Sequence, residues 1–173
     1  MAETHGKVIY VLFVCLGNIC RSPMAEGVFR QHVERAGLAG RIKVDSAGLG
    51  AWHVGEPPHP GTARILAERG IQYAHRARVI HTDDFTRFDY VIAVERAHAN
   101  ELRRMSGSSL VRLGLLLDYA PQVGMHDLPD PYYNGRFREV HDMVEQACRG
   151  LLEHIIATER LVVPVLYNGE QQP

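Results

Sequence analysis

The sequence predicts an α/β fold: a single domain of three layers, α/β/α, around a four-stranded parallel sheet. Three observations carry that expectation. The chain has 173 residues, one domain at roughly 150 residues per domain. Short apolar runs alternate with segments of helical period, the pattern of a parallel sheet covered on both faces. The first run, Val8 to Val14, is rich in β-branched and aromatic residues, as a strand buried on both sides requires.

The elements follow in order. Ser22-Pro23 reads as N-cap and first helical position. Ala25, Val28, Phe29, Val33 and Ala36 then fall at helical spacing, and Gly37 stops the helix. Ile42 to Ser46 is a second strand. Gly48 to Gly61, with Trp52, is a loop. Thr62 to Arg69 is a helix ending at Gly70. Tyr90 to Val94 is a third strand, followed by a polar helix from about Arg96 to Met105 and a fourth strand at Val111 to Leu113. Asp118 to Gly135 is a long loop carrying Pro121, Pro129 and Pro131. Phe137, Val140, Val144, Ala147, Leu151 and Ile155 mark a long amphipathic helix. The folded core is expected over about residues 7–158, with 159–173 as a tail whose apolar patch runs from Val162 to Tyr167.

Composition narrows the function. Hydrophobic residues make up 46% and charged residues 23%, and 19 basic against 20 acidic side chains leave a net charge of −1. A strongly basic nucleic-acid binder is excluded on that balance. No apolar run approaches the roughly 20 residues that span a bilayer. The longest, Val8 to Leu16, lacks the flanks of a signal peptide: Glu3 sits beside Lys7 before it, and no small-x-small site follows. Three cysteines, an odd number, fit a reducing compartment, so the chain is expected to be cytoplasmic. The ten histidines form no His-x3-His or His-Glu-x2-His pattern and no Cys-x2-Cys occurs, so neither metal nor cofactor is expected.

The chemistry concentrates at the end of the first strand, in Cys15-Leu16-Gly17-Asn18-Ile19-Cys20-Arg21-Ser22. Cys-x5-Arg alone is a weak pattern, and its setting gives it weight. Ligands in open α/β sheets bind beyond the carboxyl ends of strands, and a helix N-terminus offers free N–H groups to an anion. Gly17 permits close backbone approach and Asn18 tolerates a left-handed turn. A loop curling from Cys15 to Arg21 therefore aims several amides at one point, a nest for a tetrahedral anion. The same field favours a thiolate at Cys15. Ser22 can donate to the sulfur, and Arg21 can hold two phosphoryl oxygens. A thiolate attacking phosphorus also requires an acid for the leaving oxygen. Asp130, between Pro129 and Pro131, is the first candidate, with Asp127 its rival, and Tyr132 and Tyr133 can wall a cleft.

The stretch from Val14 to Glu26 resembles the signature of the low-molecular-weight protein tyrosine phosphatases. Asp130-Pro131-Tyr132-Tyr133 resembles that family's general-acid loop, and Ser46-Ala47-Gly48 with Gly50 to Pro58 its variable loop. His75 to Arg78 is similar to a further family segment. The resemblance implies a hydrolase of phosphotyrosine-containing proteins, with neither cofactor nor metal, most simply a monomer. It implies Cys15 as nucleophile through a phosphocysteine, and Arg21 with the amides of Leu16, Gly17, Asn18, Ile19, Cys20 and Ser22 as the phosphate site. Asp130 would be acid and then base, Ser46 and His75 would support the loop through Asn18, and Trp52, Tyr132 and Tyr133 would form the aryl slot. Cys20 resembles the family's second loop cysteine, able to pair with the nucleophile; a buried small residue is the equal alternative.

The chain departs from the family at Val94-Glu95, where Met-Asp is usual, and at Leu49, where Thr is common. Two rivals share the fold. Phosphoarginine phosphatases carry Thr where this chain has Ile19, so Ile19 favours aryl phosphates. Thioredoxin-linked arsenate reductases need two further cysteines in a central segment, and none lies between Cys20 and Cys148.

Overall fold

The computed structural model describes residues 6–164. Four parallel strands form one sheet in the order β2-β1-β3-β4. They are β1 (Ile9–Cys15), β2 (Ile42–Gly48), β3 (Tyr90–Ala93) and β4 (Arg112–Leu115). Helices α1 (Arg21–Arg35), α2 (Pro60–Glu68), α3 (Asp84–Arg87), α4 (Arg96–Ser106), α5 (Pro131–Asn134) and α6 (Phe137–Thr158) complete the chain.

The layers follow from alternation along β1. Val11, Phe13 and Cys15 face one way, into a core shared with Phe29 and Val33 of α1 and Val144, Ala147 and Leu151 of α6. Leu12 and Val14 face the other way, onto Phe85 of α3 and Ala99 and Leu102 of α4. A strand buried on both faces reads as an unbroken apolar run, as β1 does. The chain places β2 on one side of β1 and then crosses to place β3 on the other. Strand order thus reverses at β1, and the carboxyl ends of β1 and β3 flank the crevice where such sheets bind ligands.

Several expectations need correction. The first helix begins at Arg21 with Cys20 as its cap residue, so Ser22 and Pro23 lie inside its first turn. Ser22 does not cap because its hydroxyl is taken by Cys15 and Asn18. Pro23 is tolerated there because first-turn amides have no helical acceptor. β1 runs on to include Cys15, β2 extends to Gly48, and β4 is shifted to Arg112–Leu115. The long loop before α6 holds two short 3-10 turns and the one-turn α5. Of the tail, Leu161 is buried and Val163 packs on the core; Val165, Leu166 and Tyr167 lie outside the described residues. Among the described residues no helix is long and apolar enough to cross a membrane.

Candidate active site

The loop between β1 and α1 is built around Asn18. Its φ of +57° puts a non-glycine residue in the left-handed region, and buried side-chain bonds hold it there. Asn18 Nδ2 donates to Ser22 Oγ and to Ser46 Oγ, both at 2.9 Å. Its Oδ1 lies 2.8 Å from His75 Nε2 and accepts from the Arg78 amide at 3.0 Å. A β-carbon at Gly48 would come within 2.9 Å of Leu16 O and 3.1 Å of Asn18 N, so only glycine lets β2 pass this close beneath the loop.

This turn aims backbone donors at the thiol. Asn18 N–H donates to Cys15 Sγ at 3.2 Å, and Ser22 Oγ lies 2.9 Å from the same sulfur. Cys15 is 3% exposed. Among the described residues the amides of Gly17, Ile19 and Cys20 find no acceptor. Unsatisfied N–H groups on a curled loop at a helix start are the form of an anion nest.

Leu16, Gly17, Ile19, Cys20 and Arg21 line a cavity of about 420 Å³, closed on its other sides by Trp52, His53, Asp130, Tyr132 and Tyr133. Arg21, 3% exposed, reaches three partners: Glu95 Oε1 and Leu128 O (2.8 Å) from Nη1, and Asp130 Oδ2 at 3.5 Å from Nη2. Asp130 caps the one-turn α5 by accepting from Tyr132 N at 3.0 Å. The structure thus separates the two candidate acids. Asp130 faces the cavity, whereas Asp127 is held on the surface by Arg96, through side chain (2.9 Å) and backbone amide (2.8 Å). Those bonds keep the Asp127 carboxyl below its ordinary range. His126 pairs with Asp118 at 3.2 Å.

The two loop thiols sit in different surroundings. Burial, with the neighbouring Cys15 and Asp130 charges, pushes the Cys20 thiol up to about 12. It packs with Ile19, Ala77 and Phe137. Both cysteines are free, as is Cys148, buried in the core against α1.

A layer behind the loop escaped the sequence reading. Glu26, buried on α1, accepts from Tyr73 Oη and from Ser46 Oγ (3.3 Å) and pairs with Arg30 at 2.8 Å. Its carboxyl is raised by burial, and burial lowers His75. Glu26, Asp45 and His75 could offer ligand atoms to one ion, but Arg30 and Arg78 already supply their counter-charge. A signal existed: Glu26 follows Ser22 by four residues, on the same helix face. A wider groove of about 930 Å³ runs past Leu66, Ile71 and Tyr73 and has no thiol or carboxylate on its walls.

A single parallel sheet with a thiol-based anion loop after its first strand defines a class of phosphate-handling proteins. Within it, residues 10–161 match the family model described as low molecular weight phosphotyrosine protein phosphatase, and the chain belongs to that family. It is 46% identical over 156 residues to the low molecular weight protein-tyrosine-phosphatase YfkJ of Bacillus subtilis, covering 89% of this chain and 100% of that protein. The crystal structure of YfkJ superposes with a TM-score of 0.85 over 90% of this chain and 99% of that one. A low molecular weight protein-tyrosine-phosphatase of Streptomyces coelicolor is 48% identical over 148 residues, 82% of this chain and 90% of its own. The crystal structure of a Drosophila arginine phosphatase is 34% identical, with a TM-score of 0.79 over 83% of this chain and 96% of that one.

Proposed function

We propose that this phosphatase hydrolyses phosphotyrosine in proteins by covalent catalysis on Cys15. The observation that carries the reading is the convergence of the loop, Arg21 and Asp130 on one cavity with aromatic walls, with the Cys15 thiol held by an amide of that same loop. The Cys15 thiolate attacks phosphorus, and the loop amides and Arg21 hold the phosphoryl oxygens as charge moves onto them. Asp130 protonates the departing tyrosyl oxygen. It then takes a proton from the water that cleaves the phosphocysteine, while Ser22 donates to the leaving sulfur. Ser46 and His75 keep Asn18 in its strained turn. Trp52, Tyr132 and Tyr133 take the aryl ring. The unit acts as a cytoplasmic monomer with its catalytic core over about residues 7–158.

Phosphoarginine is the second reading, raised by the likeness to an arginine phosphatase. Ile19 on the cavity wall favours the flat aryl ester.

The test is hydrolysis of p-nitrophenyl phosphate with EDTA and a reductant present. The expected result is activity that survives EDTA, vanishes in Cys15→Ser and falls sharply in Asp130→Ala. No activity in the native protein, or full activity in Cys15→Ser, overturns the mechanism. Parallel assays with phosphotyrosine and phosphoarginine decide between the two esters.

A further inference from the structure

A second recess, of about 310 Å³, opens between α2 and the start of α6. Its floor is apolar: Ile65 and Phe137, with Gly61 opposite, where a β-carbon would come within 2.4 Å of the Phe137 ring. Its rim carries three arginines, Arg64, Arg136 and Arg138, against one carboxylate, Glu139. Arg64 is exposed and has no carboxylate within ion-pair distance among the described residues. Among the described residues Arg136 reaches only the Glu139 carboxylate, at 3.7 Å, with both side chains about two-thirds exposed, a pair that contributes little in water. Arg138 is the neutralised member, bound to Glu68 at 2.7 Å. In a chain of net charge −1, this rim holds guanidinium charge that the protein leaves largely unanswered.

The recess is joined to the catalytic cavity by stacked rings. Phe137 stacks on His59 at 5.0 Å, and His59 meets Tyr132 edge-on at 5.8 Å. Tyr132 is itself a wall of the catalytic cavity. An extended peptide advances about 3.3 Å per residue. The two ring-to-ring steps bound the separation of Tyr132 from Phe137, a length that about three extended residues of a substrate cover.

We infer that this recess is a subsite for an acidic side chain of the phosphoprotein substrate, lying about three residues from the phosphotyrosine and held by Arg64 and Arg136. The inference rests on the phosphotyrosine reading and names the kind of protein that reading serves. The aliphatic stem of a Glu packs on Phe137 and Ile65 while its carboxylate meets the guanidinium groups. Because the rim is exposed, the pairing sets preference among substrates and leaves the chemical step untouched.

The experiment compares kcat/KM for three phosphotyrosyl peptides carrying Glu, Gln or Lys three residues to either side of the phosphotyrosine, with p-nitrophenyl phosphate as reference. Native protein and Arg64→Glu/Arg136→Glu are assayed at low and high salt. The expected result is a preference for Glu over Gln of about two- to five-fold, the scale of an exposed ion pair. It shrinks with salt and reverses toward Lys in the double variant, with p-nitrophenyl phosphate turnover unchanged. Equal turnover of the three peptides by native protein, or an unaltered preference in the double variant, overturns the subsite. So does a parallel loss of p-nitrophenyl phosphate turnover in the double variant, which would assign the arginines to the catalytic cavity. Absence of p-nitrophenyl phosphate turnover in native protein fails the phosphatase reading itself, a separate outcome.

Discussion

The guanidinium of Arg21 and the carboxylate of Glu95 are in direct contact, Nη1 to Oε1, one from the first turn of α1 and the other from the junction of β3 and α4. Arg21 is almost fully buried and Glu95 is 30% exposed. The second Glu95 oxygen lies 3.8 Å from Nε2 of His98, a buried residue whose Nδ1 has no partner among the described residues. Glu95 thus does for Arg21 what Ser46 and His75 do for Asn18: it fixes a donor before any ligand arrives.

Glu95→Ala is expected to weaken competitive inhibition by inorganic phosphate about two- to ten-fold, because Arg21 must then be ordered on binding at about 0.5–1.5 kcal/mol. Glu95→Gln keeps an acceptor and is expected to fall between native and Ala. Inhibition constants measured at fixed pH and salt check this. Tighter phosphate binding in Glu95→Ala would mean that Glu95 competes with phosphate for Arg21 instead of positioning it.

Asn18 yields a comparison of three variants. Asn18→Gly keeps the left-handed turn and loses the four side-chain bonds. Asn18→Ala loses the bonds and keeps the left-handed strain of about 1–2 kcal/mol that they offset. Asn18→Asp keeps the acceptor and loses both donor bonds. All three are expected to lose at least ten-fold in p-nitrophenyl phosphate turnover, with Ala also the least stable in thermal melts. Near-native activity in Asn18→Gly would show that the turn alone aims the amides at Cys15.

The parts of this site that are legible in the sequence are those close together in the chain. Cys15 through Ser22 fall in one loop, and their residue types state the chemistry. The apolar run of β1 shows equally well because burial on both faces leaves no polar alternation. What joins distant segments is legible only through the family resemblance, which ties Asn18 to Ser46 and His75. The contact between Arg21 and Glu95 spans 74 positions, and Glu95 alone reads as a departure from a family pattern. The one-turn helices α3 and α5 escape because four residues cannot display a period. Ser22 misleads for a physical reason: its hydroxyl has the chemistry of a cap, and the cysteine claims it.

Asp130 and Asp127 are expected to separate cleanly. Asp130→Ala removes the carboxylate on the cavity wall and is expected to lower kcat on aryl phosphates by about 10²–10⁴-fold, least for the best leaving groups. Asp127→Ala is expected to leave kcat within about two-fold of native, since an exposed pair with Arg96 adds little. Its effect lies in stability. Asp127 accepts the Arg96 amide at 2.8 Å and so caps α4, whose own cap residue, Glu95, makes no side-chain bond to the helix amides. A lowered melting temperature with intact turnover is the outcome expected for Asp127→Ala. A large loss of turnover there would return it to contention as the acid.

Acid should destabilise the fold through its buried histidines. Burial lowers the proton affinity of His75, His98 and His141 below the ordinary histidine value. Each is protonated more readily unfolded than folded, so the unfolded chain binds the extra protons as pH falls. Their contribution is complete above about pH 6.5, the unfolded value, and is lost progressively below it. Glu26 has the opposite sign. Its raised carboxyl favours the fold most fully below the unfolded value of about 4.5 and loses that effect as pH rises through the folded one. It therefore cannot produce a loss on acidification. His141, on α6 and outside the cavity, isolates the effect: its ring is buried, with Asp142 Oδ1 at 3.5 Å from Nδ1 and no partner for Nε2 among the described residues. Melting temperatures recorded between about pH 7.5 and pH 5 should fall on acidification in native protein and fall less steeply in His141→Leu, with turnover at neutral pH unchanged. Equal slopes would place the acid sensitivity at His75 and His98, where it should appear as lost activity before lost structure.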